Sequence, residues 1–180
     1  MQALTQTGIG RGYRNLRTVL LLVLGVVLQS SQLEAGQITW RSLANQPHVS
    51  SADVPLTQDF IFELGSFSRG FTPSLANTSQ WAAEWHLASR VVFNSYSSLF
   101  SSKYLVTSNE APFSTVDQGY IWGYNINDTA SEWILITNPA WTWPSASGVG
   151  FPEMWATFNA TETIVGTLGD DSDPFHLKTA

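Results

Sequence analysis

The sequence predicts an α+β fold that is mainly β: an antiparallel sheet or small sandwich with one amphipathic helix packed on it. Three observations lead there. Stretches of period-two alternation recur along the chain, most cleanly in "FIFELGSF" and "YIWGYNINDTASEWILIT". One stretch, "NTSQWAAEWHLASRVVF", carries helical spacing instead. The composition is 43% hydrophobic and only 12% charged, too apolar for a disordered chain and too poor in charge for a helix-rich surface laced with ion pairs.

Residues 1–35 read as a secretory signal rather than as part of the fold. Arg11, Arg14 and Arg17 precede an apolar run from Val19 to Leu28, and small and polar residues follow up to Ala35 and Gly36. The run matches a signal core and falls well short of the ~20 residues that a bilayer span needs. Export to the periplasm, cell surface or extracellular space is therefore expected, with no integral membrane domain once the signal is removed. Residues 36–58 are polar and carry Pro47 and Pro55, so a loosely ordered lead-in is expected, with one short strand over 38–41.

A single mainly-β domain is expected over 59–180. In "FIFELGSF" the alternation puts Phe60, Phe62 and Leu64 on one face and Ile61 and Glu63 on the other. A helix is expected to start at an Asn77 cap, with Gln80 completing a capping-box-like pattern and Trp81, Trp85, Ala88 and Val92 forming its apolar stripe. Beyond Arg90, β-branched and aromatic residues predict extended chain. "YIWGYNINDTASEWILIT" predicts an antiparallel hairpin with Tyr120, Trp122 and Tyr124 on one face of the first strand, Trp133, Leu135 and Thr137 on one face of the returning strand, and Asn127-Asp128 in the turn. Short strands are also expected over 103–107, 154–158, 163–168 and 175–179.

Charge and cysteine content exclude several function classes. The chain has 8 basic and 14 acidic residues, and removing residues 1–35 leaves 5 and 13, a net charge of −8. The basic residues are scattered, so nucleic acid has no electrostatic footprint to bind. The absence of cysteine removes disulfides, thiolate metal sites and a cysteine nucleophile together. Eight tryptophans, all after residue 39, are then expected to supply much of the rigidity.

"FIFELGSFSRGFTPSLANTSQWAAEW", "YIWGYN" and "EWILITNPAWTWP", in that order, resemble a group of uncharacterised exported bacterial proteins, many of which carry a PEP-CTERM sorting tail. The resemblance runs from about Phe60 to Pro144. It implies an envelope or extracellular location and supplies no catalytic residues. The tail of such proteins joins a Pro-Glu-Pro motif, a hydrophobic span and a basic end. This sequence closes on "PFHLKTA", so sorting by that route is not expected of it as written.

Two candidate sites follow from the residues. Trp141 and Trp143 are two apart and so share one side of an extended chain, where paired indoles could stack a sugar ring. Packing into the domain is the competing expectation for both. Asp170, Asp171 and Asp173 in "GDDSDP" offer carboxylates for a hard cation, but without calcium-loop spacing, so a solvated turn is the competing expectation. Glu84 and His86 are two apart on the expected helix and would not face each other. Glu63, Glu84, Glu132 and Glu153 are available for glycoside hydrolysis, yet nothing in the sequence pairs them. No cofactor is expected. The reading is a non-enzymatic structural or interaction module of the envelope or extracellular matrix, with polysaccharide or envelope proteins as partners. The alternative is a secreted carbohydrate-binding protein or small polysaccharide hydrolase.

Overall fold

The computed structural model describes residues 36–43, 46–126, 132–147, 150–169 and 177–180. The expected signal segment, the Asn127-Asp128 turn and Asp170, Asp171 and Asp173 lie outside the described residues. The centre is a five-stranded antiparallel sheet built from β3 (Phe60–Phe67), β4 (Trp85–Val92), β6 (Gln118–Asn125), β7 (Trp133–Thr142) and β9 (Glu162–Val165), in the order β4-β3-β6-β7-β9. A second sheet of β1 (Gln37–Arg41), β5 (Ser101–Leu105) and β8 (Glu153–Ala156) has β1 in the middle, antiparallel to β5 and parallel to β8. A small third sheet joins β2 (His48–Val49), β10 (Thr167–Leu168) and β11 (Leu177–Lys178). Among the described residues, no helix is long and apolar enough to cross a membrane.

Strand alternation sorts the central sheet into two faces. Phe60, Phe62 and Leu64 of β3, Ile121 of β6 and Ile134 and Ile136 of β7 turn inward, where they pack with Ile38 and Trp40 of β1 and Trp155 of β8. On β6 the inward positions beside Ile121 are Gly119 and Gly123. A Cβ on Gly119 would come within 2.1 Å of the Trp155 ring, and one on Gly123 within 2.4 Å of Phe62. Bare backbone on that side of β6 is what lets the large rings reach the sheet. The reverse face carries a second cluster with Trp81, Trp122 and Leu135 at its heart and Trp85, Tyr124 and Trp133 around it.

The expected β6–β7 pair forms, and its register sets Tyr120 opposite Thr137, Trp122 opposite Leu135 and Tyr124 opposite Trp133. Two other expectations need correction. The lead-in is not loose where it carries its expected strand: the strand expected over 38–41 forms as β1, the middle strand of its sheet, with Ile38 and Trp40 completely buried. The polar composition that suggested looseness belongs to the flanking turns. The helix is also much shorter than its stripe implied. A 3-10 stretch (Leu75–Gln80) runs into a single α-turn, α1 (Trp81–Glu84), and the chain then becomes β4. Pairing along β3, from Ile61 with Val92 to Phe67 with Trp85, outweighs the local helical preference of Leu and Ala residues. The helical entry is set by Ser74, whose backbone N–H donates to Asn77 Oδ1 at 2.8 Å, so Asn77 works one turn inside the start rather than as the cap.

Candidate functional site

The two expected ligand-stacking rings are core. Trp141 is 3% and Trp143 1% exposed. Trp141 stacks on Trp155 at 5.6 Å, and Trp143 meets Trp155 edge-on at 5.2 Å while its indole N–H donates to Ser66 Oγ at 2.7 Å. Neither presents a face to solvent, because β7 continues through Thr142 and carries both rings under the second sheet. His86 lies exposed on β4, with Nε2 3.0 Å from Ser68 Oγ. Glu132 accepts from the Ser51 backbone at 2.8 Å, and Glu153 is exposed on β8. The four glutamates considered in the sequence thus stand on separate elements. Among the described residues, no three His, Asp or Glu side chains gather as a metal site.

A different constellation forms on the outer face of the central sheet. Glu63 of β3 is opposite Arg90 on β4 and Trp122 on β6. Tyr124 follows two residues along β6 and is opposite Trp133 on β7. Trp85 joins them because a bulge between Leu64 and Gly65 shifts the β3–β4 register. With strict alternation, Trp85 and Arg90 would point to opposite faces. The bulge turns both outward while Ala88 and Val91 pack inward. Gly65 completes the arrangement, since a Cβ there would come within 2.6 Å of the Trp85 ring.

These six side chains line a hollow of about 360 Å³, with Thr78 and Ala82 of the helical segment on its flank. Glu63 is 2% exposed and its carboxylate is held from several sides. Trp85 Nε1 donates to Oε2 at 2.7 Å, while Arg90 Nε and the Tyr124 hydroxyl donate to Oε1 at 2.7 and 2.9 Å. The Arg90 guanidinium also pairs with Glu63 directly, although its own side chain is 53% exposed. That hydrogen bond and the carboxylate's charge raise the Arg90 pKa. Burial, with help from the same carboxylate, pushes the Tyr124 phenol up to about 12.

The rings make a box rather than a flat platform. Trp122 stands nearly perpendicular to Trp85 (86°, 5.5 Å) and to Trp133 (85°, 5.7 Å), and tilts 50° from Tyr124. Trp81, buried behind, stacks on Trp133 at 5.4 Å and donates its indole N–H to Asn77 Oδ1. The Trp122 indole N–H is buried and finds no acceptor among the described residues. Six of the eight tryptophans are buried, and the two half-buried ones, Trp85 and Trp133, both line this hollow. Sequence reasoning placed both rings in the core. The hairpin is legible in the sequence, but its register, which sets Trp133 opposite Tyr124, is not, and the bulge that brings Trp85 to them has no local signature.

A larger hollow of about 660 Å³ lies at the other end of β4, between Pro47, His48, Leu56, Phe93 and the serine-rich loop at 95–98. His48 is 4% exposed, packs on Phe93 at 5.0 Å, and has both ring nitrogens buried without a hydrogen-bond partner. Burial lowers its pKa from 6.5 to about 4; the Gln46 backbone offsets part of that from outside hydrogen-bond geometry. The folded protein therefore holds the ring neutral, while the unfolded chain takes up a proton below pH 6.5. Stability from this group is complete above pH 6.5 and is expected to fall by ~3 kcal/mol as the pH drops to 4. Urea unfolding at pH 7 and pH 4.5 checks this, and His48→Leu should remove most of the difference between those two pH values. An unchanged pH profile in that variant would show that other groups govern acid stability.

Compared with protein families, curated proteins and solved structures, the chain matches none.

Proposed function

We propose that this chain is an exported, non-enzymatic interaction module that binds polysaccharide outside the cytoplasmic membrane through the tryptophan-lined hollow over Glu63. The observation that carries the reading is the sorting of the indoles: six are packed away, and the remaining two flank one hollow together with a charged pair. Aromatic faces beside a few fixed polar groups suit the apolar faces and hydroxyl edges of a sugar. The signal-like N-terminus supports export. Among the described residues, Glu63 is the one acidic residue lining the hollow, and both its oxygens are engaged. Glycoside hydrolysis asks for two carboxylates across the substrate, so these contacts favour binding over cleavage.

Titration of intrinsic tryptophan fluorescence with soluble neutral, amino and acidic oligosaccharides tests the proposal. At least one series should shift the emission saturably. Trp85→Ala should weaken that binding about tenfold. Ala82 is exposed on the hollow's flank, so Ala82→Trp should block the hollow without touching the core. A wild-type protein that responds to no series, or binding that Ala82→Trp leaves intact, would overturn the reading.

A further inference from the structure

We infer that the hollow selects a protonated amino sugar, taking its ammonium group onto Glu63 in place of the Arg90 guanidinium. This deepens the polysaccharide reading and rests on it. The geometry of the rings supports it first. Neutral sugars stack on single exposed rings, whereas Trp85 and Trp133 both stand perpendicular to Trp122, with Tyr124 beside it. Several aromatic rings lining one hollow concentrate the negative π potential that attracts organic cations. The second support is a carboxylate in the same box: Glu63 is buried among those rings, with its charge fixed by the Trp85 and Tyr124 donors.

The third support is Arg90 itself. It shows that the site already accepts a cation against Glu63, and it is attached at the rim with a half-exposed side chain. Its head can return to water at small cost, while a buried carboxylate left alone would be costly. An entering ammonium keeps Glu63 neutralised as the guanidinium leaves. Long-range attraction acts in the same direction, because the whole chain carries a net charge of −6. The hollow's volume of about 360 Å³ is at the small end of ligand sites, which fits a single sugar residue with its substituent.

The test compares glucosamine oligomers with N-acetylglucosamine oligomers at pH 6 and low salt, read by tryptophan fluorescence. The amino oligomer should bind at least ~10-fold more tightly, and raising salt to about 0.5 M should remove most of that advantage. Tetramethylammonium chloride should displace it from the wild-type protein beyond the effect of equal sodium chloride. Arg90→Gln, which keeps a donor for Glu63 but removes the competing charge, should tighten amino-oligomer binding severalfold and leave the N-acetyl oligomer no tighter. Weakened amino-oligomer binding in that variant, or no displacement by tetramethylammonium, would overturn the inference. Equal affinity for the two oligomers, with Ala82→Trp weakening both, would also overturn it and leave the polysaccharide reading standing. No binding of either would remove both.

Discussion

Replacing Trp155 with alanine is expected to cost about 3–5 kcal/mol, the range for deleting a large buried aromatic ring. Trp155 is 1% exposed. Its ring lies parallel to Trp141, takes the edge of Trp143, and rests directly against the bare backbone of Gly119. It stands on β8, while its contacts stand on β6 and on β7 with the residue just beyond it. One side chain thus ties the second sheet to the first. Domains of this size are stable by only ~5–15 kcal/mol, so the change should lower Tm by roughly 10–15 °C. Urea unfolding followed by circular dichroism gives the free energy directly. Trp155→Phe should recover part of it, and Phe151→Ala, at a ring 90% exposed, should change it little. A loss below about 1 kcal/mol for Trp155→Ala would mean that the two sheets are not held together by this ring.

Glu63→Ala is expected to cost about 3 kcal/mol. The substitution leaves the Trp85 indole N–H and the Tyr124 hydroxyl without their acceptor and opens a small void under the rings. Arg90 contributes less to the loss, because its half-exposed head can return to water. Glu63→Gln keeps the volume and one acceptor oxygen, so its cost should be closer to 1–2 kcal/mol. The Gln variant separates stability from binding: it should remain folded at 25 °C and yet lose the preference for amino over N-acetyl oligomers. Unfolding curves and fluorescence titrations on the same samples check both statements. A fully retained preference would show that the carboxylate's charge is not what the ligand meets.

Much of the sheet can be read from the sequence, and the reasons are local. In "FIFELGSF" and across the 120–137 hairpin, alternation fixes both the strand and the face of each side chain, and the structure keeps those faces. The segment 81–92 is different. Trp85 faces outward and Ala88 inward across a bulge, which breaks period two and leaves a spacing that imitates a helical stripe. The same bulge hid the hollow over Glu63, since Trp85 and Arg90 share a face only through it. Trp141 and Trp143 were ambiguous for another reason. Two rings on one side of an extended chain serve a ligand or a core equally well, and only the position of the second sheet decides between them. For β1, polar neighbours on either side masked Ile38 and Trp40, whose burial depends on β5 and β8 pairing from far along the chain.

The hollow's rings are planted on β4, β6 and β7 and its carboxylate on β3, and the reverse sides of β3, β6 and β7 carry Phe62, Leu64, Ile121, Ile134 and Ile136. Such close packing does not yield by fractions of an ångström without strain. On the proposed reading, the hollow is then a fixed gauge rather than a glove, and the protein itself would lose little freedom on docking a ligand that fits.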